Sequence, residues 1–159
     1  SDDWALQWGL SAMLGPNGTG SGNRSAIYGT DLFLRWKPVG SAGRTSVDLL
    51  VELLLRTREV PADRLQDWGL LAELRWRIDA EWGLAVRHDA VSGVADDPLD
   101  AAWTGLRQRT ALAWDFLPSH FSRLRLQGGV DVAEWEDHVG GFVMLGLEAG
   151  IGAHGAHNY

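Results

Sequence analysis

The sequence predicts an all-β fold, an up-and-down antiparallel β-barrel of about eight strands that crosses a membrane, and residues 1–159 form this single barrel domain. Apolar side chains recur at every second position through eight segments, which is the repeat of a β-strand. Short stretches rich in Pro, Gly and Asp separate these segments. The face opposite the apolar one combines Arg and carboxylates with small residues, as the filled polar lumen of a small barrel requires.

The clearest alternation lies in 138–159, at the end of the sequence. Val143, Leu145 and Leu147 share one face, whereas the other face carries Gly, Phe142, Met and Glu. Final strands of bacterial outer-membrane barrels share this pattern and an aromatic end, so Tyr159 is predicted to be an insertion signal. We expect this strand to close the barrel by pairing with 124–132 on one side and with 4–14 on the other.

The other seven predicted strands follow one another with short connections, at 4–14, 28–37, 47–58, 68–79, 82–89, 106–116 and 123–132. The third contains VDLLVELLLR, whose apolar residues at 49, 50, 53 and 54 also fit helical spacing, so a helix remains an alternative there. Residues 16–23, 38–44, 60–63 and 117–120 are predicted loops or turns.

Composition excludes several classes of protein. The chain has no Cys, which removes disulfides and thiolate metal sites, and its net charge of -7 disfavours nucleic acid as a partner. Nine Trp is a large excess, and 13 of the 14 basic residues are Arg. No apolar run approaches the roughly 18 residues of a membrane-spanning helix.

The apolar face is predicted to point outwards into lipid. An interior formed by roughly eight strands is just filled by side chains, and the Trp and Leu of this face are too bulky for it. Aromatic residues also gather near one rim, which indicates an interfacial girdle: Trp4, Trp8, Trp36, Trp76, Trp82, Trp114, Phe116 and Phe121. A soluble lipocalin-like binding barrel, with these aromatics in its core, is the less favoured alternative.

The opposite face is predicted to hold an ion-pair network that plugs the lumen, because charges in a small interior must be paired. Eleven basic and eight acidic residues face it, a net +3, whereas loops and ends carry -10. The predicted network consists of Asp31, Arg35, Asp48, Glu52, Arg56, Glu73, Arg75, Arg77, Arg87, Asp89, Arg107, Arg109, Asp115, Arg123, Arg125, Asp131 and Glu148, with Lys37 and Arg58 completing the basic set. In a wider barrel the same residues would line an anion-preferring channel.

No enzymatic activity is predicted. Ser119 and His120 lie in a predicted turn without a placed acid, and Glu52 and Glu73 have Arg neighbours that favour ion pairing over acid catalysis. His154 and His157 are weak metal candidates, because two imidazoles are too few for a tight zinc site. No cofactor is expected, since the Gly-rich 16–22 loop lacks a phosphate-binding motif.

Three stretches resemble a known family: Tyr28 to Leu32 with Arg35 to Pro38, then Phe121 to Gln127, and the ending Gly152 to Tyr159, GAHGAHNY. The family comprises bacterial outer-membrane porin-like proteins, some described as zinc-regulated outer-membrane receptors. The similarity covers most of the chain and corresponds to the C-terminal barrel region of those longer proteins. It implies location in the bacterial outer membrane and insertion by the barrel-assembly machinery through the last strand.

Together these observations predict a non-enzymatic scaffold embedded in the outer membrane, with a plugged lumen and the lipid bilayer or detergent as its surroundings. The alternative is a porin-like channel, or part of one, for small anionic solutes.

Overall fold

The computed structural model describes residues 3–41, 44–94, 97, 103–119 and 121–150 and shows one antiparallel sheet of eight strands. Each strand pairs with its neighbours in the chain, so the all-β, up-and-down prediction is confirmed. In order, the strands are β1 (Trp4–Pro16), β2 (Arg24–Trp36), β3 (Ser46–Val60), β4 (Asp63–Arg77), β5 (Trp82–Ser92), β6 (Leu106–Ser119), β7 (Ser122–Ala133) and β8 (Gly140–Ala149). One turn of 3-10 helix, Val39–Ser41, lies between β2 and β3.

Strand β3 resolves the helix-or-strand alternative. Residues 47–58 pair with β2 on one side, and all of β3 pairs with β4 on the other. The β3–β4 hairpin turns through Pro61 and Ala62, between the paired residues Val60 and Asp63. Pro fixes the φ angle that the first turn position needs, and Ala62 takes the left-handed conformation, φ 69°, at the second.

Several strand ends differ from the sequence prediction. Strands β2 and β4 begin four and five residues earlier than the predicted 28 and 68, and β6 continues through the predicted turn as far as Ser119. The β6–β7 register shifts between Phe116 and Ser119, where Pro118 has no N–H to donate to the ladder. Strand β8 is limited to ten residues. Residues 151–159 lie outside the described part of the chain, so Tyr159, His154 and His157 are not placed.

The sheet curls but does not close within the described residues. Arg35 of β2 and Arg125 of β7 line the same cavity, so these two strands face each other across the inside of the curl. Strands β1 and β8 nevertheless make no contact in the described structure, and the predicted pairing of these two strands is therefore wrong here. No described helix is long and apolar enough to cross a membrane.

The apolar residues lie on the exposed outer face of the sheet, not in a core. Leu145 is 70% exposed on β8, and Trp8 is 65% exposed on β1. The inner face is closely packed with small side chains such as Ala85, Ala111 and Ala113, which are buried. No described residue is a large, fully buried side chain, so the large apolar core of a soluble domain is missing from this part of the chain.

Candidate functional site

The inner face carries a ladder of ion pairs between neighbouring strands. The β2–β3 register places Arg35 opposite Asp48, and the guanidinium donates two hydrogen bonds of 2.7 Å to the two carboxylate oxygens. Arg125 and Asp115 make the same two-pronged contact between β7 and β6, again at 2.7 Å. This geometry depends on the flat fork of Arg, which accounts for the near absence of Lys.

Further pairs extend the ladder around the curl. Asp131 accepts hydrogen bonds from Arg107 at 2.9 and 3.0 Å and also from Arg109. At the β8 edge, Arg123 pairs with Glu148 at 2.8 Å. These pairs join β2 to β3, β6 to β7 and β7 to β8 across the inner face.

Two pairs of predicted network residues form within single strands. Arg75 contacts Glu73, and Arg87 contacts Asp89 at 2.7 Å, because residues two apart in a strand lie on the same face. Several of the Arg side chains are two-fifths or more exposed. In water each such pair contributes only about 0–1 kcal/mol, and it matters more where water is excluded.

Three predicted network members have no carboxylate–cation contact among the described residues. Asp31 and Glu52 stand opposite each other in the β2–β3 register, and the Asp31 carboxylate lies against Gly9. Arg77 donates instead to the backbone carbonyls of Asp79 and Ala80, both at 3.1 Å.

Sequence reasoning missed two partners. Arg56 of the predicted network donates to Asp67 at 2.9 Å, and Arg58 forms a buried pair with Asp97. Asp67 could have been found, because the alternation of β4 also includes residues before the predicted start at residue 68. Asp97 lies in a loop, and no strand periodicity indicates its position.

The predicted girdle residues gather at one end of the outer face. Trp82 stacks on Trp114 and Phe116, with ring centroids 5.0 and 4.3 Å apart, and Trp4 packs against Trp36 at 6.3 Å. The other three have different positions. Trp76 lies two strands from Trp36 in the same register row, Trp8 lies four residues beyond Trp4 along β1, and Phe121 follows β6.

A second aromatic row, Tyr28 and Trp68, was not predicted. Both side chains are exposed and both stand opposite Leu55, near the other end of the outer face. Each precedes a girdle Trp by eight residues on its own strand, Trp36 or Trp76. Eight residues span about 27 Å along a strand, or about 20 Å along the axis at a tilt of about 40°. Membrane barrels have an apolar band about 25 Å tall between two aromatic girdles, a similar height.

The described catalytic candidates take part in local contacts, and His154 and His157 lie outside the described residues. Ser119 exchanges a 2.7 Å hydrogen bond with Ser122, and His120 lies outside the described residues. Glu73 contacts Arg75, as expected for an ion pair. The described residues contain no group of three or more side chains suited to holding a metal ion.

No protein-family model, curated protein or solved structure matches the chain. The functional argument therefore depends on the geometry of the two faces and on the sequence resemblance.

Proposed function

We propose that the chain is the wall of an integral outer-membrane β-barrel, a non-enzymatic scaffold whose inner ion-pair ladder fills the lumen. One observation carries this proposal: the exposed outer face is apolar between two aromatic rows, while the charged residues between these rows lie on the inner face and most of them form ion pairs. In a protein surrounded by water the apolar face points inwards. An apolar outer face and a charged inner face are the arrangement that lipid requires.

Lipid also requires that the two free edges be paired. Each unsatisfied backbone group within the hydrocarbon costs several kcal/mol, so an open sheet cannot remain in a bilayer. With eight strands in alternating directions, β1 and β8 run antiparallel to each other. Further strands added in pairs between these two edges would therefore continue the meander. The family resemblance supports the outer membrane as the location and the barrel-assembly machinery as the partner in insertion.

The test is the mobility of the protein in electrophoresis after folding in octyl glucoside. We expect the unboiled sample to migrate differently from the boiled one, and we expect the folded protein to float with phosphatidylcholine vesicles in a density gradient. A monomer that folds without detergent, remains with the aqueous phase and migrates identically before and after boiling would contradict the proposal.

The second candidate is a porin-like channel, which the cavities on the inner face favour. One of about 310 Å³ is lined by residues from each of the strands β2 to β7. Planar-bilayer recordings separate the two candidates, because steady open currents from pure protein would exclude a plugged lumen.

A further inference from the structure

The cavity of about 310 Å³ lies on the inner face, at the end of the sheet that carries the girdle. Its lining includes Lys37, Arg77 and Gly83, which directly follow the girdle residues Trp36, Trp76 and Trp82. Since a water molecule occupies about 30 Å³ of liquid, the cavity has room for a small multi-atom ligand with several waters.

Positive charge exceeds negative charge in this girdle-end cavity. Six cationic side chains line it, against two carboxylates: Arg35, Lys37, Arg75, Arg77, Arg123 and Arg125, with Asp48 and Asp115. Counting Glu73 and Glu148, which pair with Arg75 and Arg123 from outside the lining, four of the six cations are neutralised. Two positive charges remain.

The two remaining charges belong to Lys37 and Arg77. Within the described part of the chain, the Lys37 ammonium has no hydrogen-bond or ion-pair partner, and Arg77 donates only to the carbonyls of Asp79 and Ala80. A carbonyl accepts a hydrogen bond but does not neutralise a charge, so both cations are available to an anion entering the cavity.

We propose that this cavity binds a small oxyanion of charge about −2, of the phosphate class. Guanidinium forks match the geometry of phosphate oxygens, and a Lys ammonium supplies a compact point charge beside them. The cavity lies on the face opposite the apolar one, where the acyl chains of a phospholipid would have no apolar surface to contact. A free anion therefore suits it better than a lipid head group.

The test is calorimetric titration of the folded protein with inorganic phosphate at about pH 8 and low ionic strength, in whichever medium, octyl glucoside or buffer, gives a β-sheet circular dichroism spectrum. We expect saturable binding that weakens at least about fivefold in Lys37→Met and at least about tenfold in Lys37→Met/Arg77→Met. Raising the salt should weaken it further, because exposed charges are screened.

The matched control is Arg64→Met, which also removes one positive charge but lies at the other end of the sheet, paired with Glu59. It should change the affinity less than twofold. Absence of saturable binding in the parent, or equal affinities in Lys37→Met and the parent, would overturn the inference. Because binding needs only the inner face, its failure leaves the membrane proposal intact, and failure of the gel and flotation tests leaves the anion site intact. If the double variant does not fold, Lys37→Met alone decides the result.

Discussion

The substitution Val86→Arg tests whether the outer face contacts lipid. Val86 is 43% exposed on β5 and stands between Leu74 and Leu112, which are also exposed. The matched change is Val39→Arg, in the 3-10 turn between β2 and β3, where Val39 is 71% exposed. In water both substitutions replace an exposed Val with a soluble side chain, so neither should change stability by more than about 0.5 kcal/mol.

The depth of Val86 determines the expected magnitude in lipid. Val86 lies four residues from Trp82 of the girdle, which is about 13 Å along the strand and about 10 Å along the barrel axis at a tilt of about 40°. Half of an apolar band of about 25 Å is about 12 Å, so Val86 falls close to the midplane. Arg at the midplane of a membrane barrel costs about 2–4 kcal/mol, and this cost falls to about 0–1 kcal/mol near the interfaces.

We therefore expect Val86→Arg to lower the free energy of unfolding by about 2–3 kcal/mol in phosphatidylcholine vesicles, and Val39→Arg to leave it unchanged. Reversible guanidinium unfolding followed by Trp fluorescence measures both. The reasoning fails if Val86→Arg unfolds at the same denaturant concentration as the parent in vesicles. It also fails if the two variants lose equal stability.

Three other predictions concern the sheet itself. Gly129→Ala should lower the free energy of unfolding by about 1–3 kcal/mol, because the new Cβ would lie 2.5 Å from the Thr110 carbonyl oxygen. The control Gly128→Ala, whose Cβ would have no atom nearer than 3.4 Å, should be neutral or stabilising. Equal denaturation midpoints for the two variants would contradict this prediction. Ala62→Gly should raise the free energy of unfolding by about 0.5–1 kcal/mol, because the left-handed φ costs Ala more than the backbone entropy that Gly loses on folding. Chemical unfolding measures this change, and a lower denaturation midpoint would count against the turn geometry. Hydrogen bonds from the backbone N–H of Arg24 and from the Arg64 guanidinium lower the pKa of Glu59, which lies four residues beyond the second aromatic row. The stabilisation that the Glu59 carboxylate gives is therefore present above its unfolded pKa of about 4.5 and lost as pH falls through the folded value. Glu59→Gln should flatten this part of the curve of unfolding free energy against pH. An unchanged curve would refute the role of these hydrogen bonds.

The sequence predicted what depends on local periodicity. The assignment of each residue to one face follows from a repeat of two, which is why the outer leucines and the inner arginines were separated correctly. The sequence prediction named Arg35 and Asp48 as network members without pairing them, and the β2–β3 register places them opposite each other.

Features that depend on register were not predicted from the sequence. Asp67 was missed because the start of β4 was placed at residue 68, five residues too late. The row formed by Tyr28 and Trp68 becomes visible only when β2, β3 and β4 are aligned. The contact of Arg58 with Asp97 joins a strand to a loop. The described sheet stays open between β1 and β8, and no residue pattern within either strand indicates this.

The composition of the two edge strands has a consequence for the chain in water. Strand β1 carries no charged residue and β8 carries only Glu148, whereas each strand between them contains both Arg and acidic residues. Soluble sheets use charged side chains to keep their edges from pairing with other molecules, and this protection is nearly absent here. In water the edges should join copies of the chain into aggregates, so the fraction that refolds should fall as protein concentration rises. Detergent or a chaperone that shields β1 and β8 should restore it.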